Sequence, residues 1–189
     1  MNNYKQAITE VILGTGKNSI KVGGNKTMPF DSEPPVNEPV IAFEIIDKIP
    51  NDPPEQLKEA WEDVWFDASL WAEKCVKEYD AKVICINLLS TKPDEGESSS
   101  LKSCETVLKI MEKVEVPIII KGSGIAHIDN EILPEISKAA KNKKLLIGSV
   151  TQENYKKILE SVMLNGHSIF AESPIDINIA SSLISCWRI

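Results

Sequence analysis

The hydrophobic positions of this chain fall into short runs, and the clearest lies between Val116 and Asp129. Val116-Pro117 leads into Ile118-Ile119-Ile120, three consecutive β-branched residues with no polar position among them. Such a run cannot be divided into a wet and a dry face. It predicts a short strand covered on both sides, as in parallel sheets. The run ends at Lys121, where Gly122-Ser123-Gly124 lets the backbone turn or approach a ligand closely. A polar stretch then reaches Asp129 or Asn130, either suited to cap a helix beginning near Glu131. Strand, small-residue loop and capped helix form one β/α unit, and the rest of the chain repeats it.

Before that unit, the β-prone runs 8–13 and 19–22 flank Gly14-Thr15-Gly16-Lys17-Asn18 and predict a hairpin with a five-residue loop. Seven of the eleven prolines lie between Pro29 and Pro54, which excludes a long helix there. One strand fits within residues 39–47. Pro53-Pro54-Glu55 opens a helix through 56–61, and Asp67 caps another over 68–79. Trp61 and Trp65 are four apart, as are Trp71 and Cys75, predicting an aromatic seam of largely buried tryptophans. A strand follows at 82–89, then a loop at 90–96. The helix 101–114, capped from Ser98 to Ser100, turns Val107, Leu108 and Met111 inward. After the opening unit come a strand at 145–148 closed by Ser149 and a helix at 152–165. Tyr155, Ile158, Leu159 and Val162 sit at core spacing in that helix, and Gly166 ends it. A fifth strand covers 167–171, and a short helix covers 176–185.

Composition narrows the class. A chain of 189 residues, 42% hydrophobic and 26% charged, reads as one globular domain of ordinary size. The net charge of -7, from 21 basic and 28 acidic residues, disfavours nucleic acid as a partner. No apolar run approaches the ~20 residues of a membrane span, and the first residues lack the apolar core of a signal peptide. Cys75, Cys85, Cys104 and Cys186 are widely spaced with no Cys-x-x-Cys pair, so reduced thiols in a cytoplasm are expected rather than a zinc or iron–sulfur site.

Five strands, each followed by a helix, indicate a parallel α/β architecture. An open doubly wound sheet and a (β/α)8 barrel both satisfy that pattern. Length favours the open sheet, since a full barrel takes ~250 residues. Gly122-Ser123-Gly124 lacks the third glycine of a dinucleotide fingerprint, and there is no Gly-Lys-Ser/Thr phosphate loop. Periodicity alone leaves the two folds open.

A set of segments in fixed order adds to this. They are Ile8-Thr9-Glu10-Val11-Ile12-Leu13-Gly14-Thr15-Gly16, Val22-Gly23-Gly24, Met28-Pro29-Phe30 and Trp71-Ala72-Glu73-Lys74-Cys75-Val76. Ser90-Thr91-Lys92-Pro93, Val116-Pro117 with Gly122-Ser123-Gly124, and Leu145-Leu146-Ile147-Gly148 with Asn154-Tyr155-Lys156 follow. Gly166-His167 and Ser173-Pro174-Ile175-Asp176-Ile177-Asn178 complete the set. From about Ile8 to Asn178 the chain resembles the small (delta) subunit of the corrinoid/iron–sulfur protein of the acetyl-CoA synthase/decarbonylase (CO dehydrogenase) complex.

The resemblance implies an incomplete (β/α)8 TIM-type barrel, related to pterin-binding methyltransferases, with about five sequential parallel strands behind an N-terminal β-hairpin. It divides the chain into a hairpin and lead-in at 1–30, a partial barrel at 31–180 and a divergent tail at 181–189. The family continues past the fifth strand, so the chain is expected to be truncated at its C-terminus. The implied partner is a large corrinoid/iron–sulfur subunit in a heterodimer, with a methyltransferase and acetyl-CoA synthase as transient partners, in the cytoplasm. The corrinoid (cobalamin) belongs to that partner, and no cofactor is held here covalently or by metal ligands. The implied role is a scaffold supporting methyl transfer from a methyl-pterin to acetyl-CoA synthase, in carbon fixation or methanogenesis. The alternative is a pterin-dependent methyltransferase-like barrel that contributes to the transfer itself.

In a barrel, function gathers where strands end. Glu44, Asp47, Asn87, Ser90, Thr91, Lys121, Ser123, His127, Ser149, Glu172, Ser173, Asp176 and Asn178 occupy such positions. From these, Asp47, Asn87, Thr91, Ser123, Ser149, Ser173 and Asn178 are expected to touch the corrinoid or its methyl-pterin donor. Asn87 and Asp47 form a donor and acceptor pair suited to a pterin's amide edge. Ser123, between two glycines, is read as a loop position the fold can spare. Asn87 equally suits satisfying a neighbouring strand end, and His127 equally suits a solvated loop. No nucleophile–base pair stands at recognisable spacing, so no catalytic residue is expected. His167 opens a strand at the opposite end and is set aside.

Overall fold

The computed structural model describes residues 8–25, 35–96, 98–173 and 175–186, with side chains up to residue 182. Met28-Pro29-Phe30 and the end of the tail at 187–189 lie outside the described residues. Strands β1 (Val11–Leu13) and β2 (Ile20–Val22) form the expected antiparallel hairpin, with Val11 opposite Val22 and a 3₁₀ turn at Gly16–Asn18. Gly14 has φ +73° and donates its N–H to the Lys144 carbonyl at 2.9 Å. A Cβ there would lie 2.8 Å from the Pro117 ring, so glycine alone fits. This contact seats the hairpin at the amino ends of the strands described next.

Those strands are β3 (Ala42–Ile46), β4 (Val83–Asn87), β5 (Ile118–Lys121), β6 (Leu146–Val150) and β7 (Ser168–Ala171). They form one parallel sheet in the order β3-β4-β5-β6-β7. The isoleucine run pairs with Ile84 and Ile86 on one side and with Leu146 and Ile147 on the other, but the strand is covered on one face only: Ile118 and Ile120 are buried and Ile119 is half-buried. No switch point interrupts the order. Between the strands lie α1 (Glu55–Trp61), α2 (Ala68–Tyr79), α3 (Ser100–Lys113), α4 (Ala126–Ala139) and α5 (Tyr155–Leu164), and α6 (Ile177–Cys186) follows β7.

Each of α2 to α5 packs on the next, because right-handed crossovers between sequential strands put every helix on the same face. The row Ile45, Ile86, Ile120, Ile147 faces those helices and is fully buried. It meets Ala72 and Cys75 of α2, Val107 and Ile110 of α3, Leu133 and Ile136 of α4, and Ile158 and Val162 of α5. Burying each such isoleucine contributes about 2–3 kcal/mol. The opposite face carries the alternate residues Glu44, Cys85, Ile119 and Leu146, which share one register row and are half-buried or exposed.

Local signals set most helix ends. Asp67 caps α2 by accepting from Ser69 N, and Ser99 caps α3 by accepting from Lys102 N. Gly166, at φ +78°, follows the end of α5. Four expectations need correction. Helix α4 begins at Ala126 rather than near Glu131, and neither Asp129 nor Asn130 is its cap. Leu108 is exposed on α3, and Ile110 takes the buried position instead, because the buried stripe runs Ser103, Cys104, Val107, Ile110. Ser149 lies within β6 rather than closing it. Of the three tryptophans of the seam only Trp65 is buried; Trp61 and Trp71 pack against the core half-exposed.

Candidate functional site

With the hairpin on the amino ends, the polar groups of the carboxyl ends form the other rim of the sheet. Glu44, Asn87 and Lys121 lie on the face the helices leave open. Asn87 Nδ2 donates to Glu44 Oε1 at 3.0 Å, and Lys121 Nζ lies 3.9 Å from Glu44 Oε2. The side chains of Lys121 and Glu44 are 37% and 48% exposed, so the ion pair contributes under about 1 kcal/mol. Cys85 pairs with Glu44 in register, and burial, then the nearby Glu44 carboxylate, pushes its thiol up to about 11. It stands as a neutral thiol rather than a nucleophile.

Beside this trio the loop after β4 is fastened over the end of β3. Asp47 accepts from Ser90 N at 2.8 Å and from Ser90 Oγ at 2.5 Å. Thr91 Oγ1 donates to the Leu88 carbonyl at 2.6 Å, and Lys48 donates to both the carboxylate and the carbonyl of Glu95. The next loop is held from within. Ser123 N and Ser123 Oγ donate to Asp129 Oδ1 at 2.7 and 2.8 Å, Gly124 N donates to Oδ2 at 3.0 Å, and Ser123 Oγ accepts from Ile125 N at 3.0 Å. Asp129 is 1% exposed, and a Cβ on Gly122 would fall 2.5 Å from its Oδ1. Burial raises the Asp129 pKa; the bonds from Ser123 and Gly124 oppose that shift without cancelling it.

The structure therefore brings Asp47, Asn87 and Thr91 together at the ends of β3 and β4, joined by Glu44 and Lys121. Asp47 and Asn87 share a backbone contact, Asp47 N to the Asn87 carbonyl at 3.3 Å, but each side chain has its own partner. Ser123 is 5% exposed and bonded through both N–H and hydroxyl, so it is a structural position and not one the fold can spare. Ser149 is also buried, with its carbonyl accepting from Asn154 Nδ2 at 3.3 Å. Ser173 and Asn178 stand exposed beyond β7, where Asn178 N donates to Asp176 Oδ1 at 2.8 Å. His127 is exposed in the first turn of α4. His167 accepts from Leu145 N at Nδ1 and meets the Ser137 carbonyl at Nε2, 2.9 Å away, bolting β7 to α4 at the far end.

Two features escaped the sequence reading. The Lys48–Glu95 clasp joins residues too distant for any local pattern. Asp129 was visible as a polar helix-start residue, yet its bonding runs back to the loop before the helix. Among the described residues no three His, Cys, Asp or Glu side chains are grouped as a metal site, and no helix is long and apolar enough to cross a membrane.

Comparison with known proteins gives these positions a context. The family model described as CO dehydrogenase/acetyl-CoA synthase delta subunit matches residues 10–187. A subunit delta of the acetyl-CoA decarbonylase/synthase complex from Methanocaldococcus jannaschii is 32% identical over 190 residues, covering 97% of this chain and 47% of that protein. The protein of the same description from Methanothermobacter thermautotrophicus is 29% identical over 185 residues, covering 97% of this chain and 48% of its own length. Subunit delta 1 from Methanosarcina thermophila is 27% identical, covering 90% of this chain and 39% of its own. The chain thus spans about half the length of the curated relatives it matches.

Proposed function

Since the chain belongs to the CO dehydrogenase/acetyl-CoA synthase delta subunit family, we propose that it serves as the small subunit of a corrinoid/iron–sulfur protein. It supports methyl transfer from a methyl-pterin to acetyl-CoA synthase by holding the corrinoid-bearing large subunit, with methyltransferase and synthase as passing partners in the cytoplasm. Its five sequential strands are part of a (β/α)8-type barrel, and the carboxyl-end rim is the docking side.

The observation that carries this reading is the state of the rim. Asp47, Thr91, Ser123 and Ser149 sit in bonded or buried positions, which suits a stiff platform. The exposed Ser173 and Asn178, together with the half-exposed Asn87 and Lys121 held by Glu44, offer the remaining donors and acceptors. A corrinoid held by the partner presents amide side chains around its ring, and this donor set fits such a fringe without supplying a metal ligand. Cobalt chemistry, when that group is docked, is the group's own. The rim residues of this chain hold orientation: Asn87 stays fixed by Glu44, and Asp47 keeps the β4–α3 loop from crossing the rim.

Pull-down with a corrinoid-bearing large subunit tests it. Asn87→Ala and Asn178→Arg weaken retention while the denaturation midpoint stays put, and Lys141→Glu, exposed after α4 on the hairpin side, does not. Equal loss in Lys141→Glu moves the interface to the other end. Methyl-pterin binding by this chain alone, removed by Asn87→Ala, establishes instead the methyltransferase-like reading, for which the Asn87–Asp47 neighbourhood is the supporting observation.

A further inference from the structure

The hairpin turn from Gly14 to Asn18 closes one side of a cleft of about 290 Å³ at the amino ends of the strands. Its other sides are the link from α3 into β5 and the turn from α4 into β6. β5 is the middle strand of five, and no residue of the edge strands β3 and β7 lines the cleft, so its shape does not depend on the sheet's edges. The bond from Gly14 N to the Lys144 carbonyl fixes the hairpin against those links. Gly16 does the reverse, since a Cβ there would meet nothing within 4 Å and space stays open beside the turn. The buried Val114, Pro117 and Leu145 form the floor, and the exposed Thr15, Lys17 and Lys143 stand at the rim. Glu115 is the one carboxylate among the lining residues, and Asn18 Nδ2 donates to it at 3.4 Å. Lys141 and Lys144 share the turn of Lys143. Among the described residues, none of these four exposed lysines is in an ion pair. A chain of net charge -7 thus gathers unpaired cations around a recess with an apolar floor.

We propose that this cleft is a binding site for a compact organic anion, a phosphate or carboxylate head on a small apolar body. Cations that the protein leaves unneutralised draw an anion from solution, and a recess with low-dielectric walls strengthens that pull. The head sits between Lys17 and Lys143, with the Thr15 hydroxyl as a further donor, and the body covers the floor. Lysines act as point charges and accept either head; no arginine among the lining residues selects between them by a planar fork. A bare inorganic ion leaves the apolar floor wet, and a neutral apolar molecule leaves the lysines unpaired. The site lies at the opposite end of the strands from the carboxyl-end rim and stands independently of the corrinoid reading.

Phenyl phosphate is the probe, with benzoate as the carboxylate arm. Inorganic phosphate and phenol, each carrying half of the recognised chemistry, are the comparisons. Titration of the isotopically labelled chain is read by the amide chemical shifts of Thr15 to Asn18 and of Lys143. Saturable shifts there with phenyl phosphate, with benzoate or with both are expected, and the tighter of the two assigns the head. Inorganic phosphate and phenol bind about tenfold more weakly than that ligand, and added sodium chloride loosens it. Lys17→Glu and Lys143→Glu each weaken binding about tenfold and leave the denaturation midpoint unchanged, because both side chains are exposed and unpaired. Lys102→Glu, exposed in the first turn of α3 at the carboxyl ends of the strands, binds as the parent does. Absence of saturable shifts with both aryl anions, equal binding of inorganic phosphate, unaltered binding in Lys143→Glu, or equal loss in Lys102→Glu overturns the proposal.

Discussion

At the scale of single residues, Asp129 shows how a loop is held by one buried carboxylate. Its two oxygens take three hydrogen bonds from Ser123 and Gly124, and Gly122 must lack a side chain to leave room. Asp129→Ala leaves those donors unpaired and is expected to cost about 3 kcal/mol, read by denaturant midpoint. Its pH dependence has an uncommon sign. Burial places the folded-state pKa above the unfolded value, so protonation is favoured by folding. The stabilisation tied to that shift is complete below the ordinary aspartate pKa of about 3.9 and is lost as pH rises through the raised one. The parent's advantage over Asp129→Ala therefore shrinks as pH rises from below the ordinary aspartate value through the raised one; an advantage that grows as pH rises shows the hydrogen bonds outweighing burial. None of this was legible beforehand. Ser123 between glycines reads as a free loop, and only the turn of α4 back over that loop reveals its partner.

At the scale of elements, the sequence was informative where a cap or a period acts locally. Asp67 and Ser99 mark their helices because each bonds an N–H two or three residues on. The start of α4 was missed because Ile125 occupies the N-cap position, where no side chain announces the helix. The tryptophan spacing was half informative. Trp61 ends α1, so Trp65 falls in the link before α2 rather than one turn along the same helix. There it meets the edge of Trp71, with ring centroids 6.3 Å apart, while Trp61 stacks at a tilt on Tyr79 at 4.7 Å under the Lys74 ammonium. The link thus carries the buried member of the seam. Trp65→Ala is expected to cost about 3–5 kcal/mol, against about 0.5 for its exposed neighbour Phe66→Ala. Equal midpoints for the two variants place the weight of the seam on the helices instead of the link.

At the scale of the whole molecule, one consequence of sequential parallel strands governs the rest. Helices α2 to α5 gather on one face, and the other face is lined by Glu44, Cys85, Asn87, Ile119, Lys121 and Leu146. The isoleucine run made the strand legible but not this asymmetry, since a run without alternation says both sides are dry. Ile118 and Ile120 obey it at 3% and 0% exposure, whereas Ile119 between them is only half-buried. Its neighbours in register, Cys85 and Leu146, are half-buried too. A pair of substitutions one residue apart separates the faces. Ile120→Ala opens a cavity among α3, α4 and the sheet and is expected to cost about 2–5 kcal/mol. Ile119→Ala removes the same atoms from a surface that water already reaches, and about 1 kcal/mol is expected. Denaturant midpoints of the two variants, measured on dilute chain, decide it. Matching losses require the open face to be covered in solution, and a midpoint for Ile119→Ala that then falls with dilution identifies association as the cover.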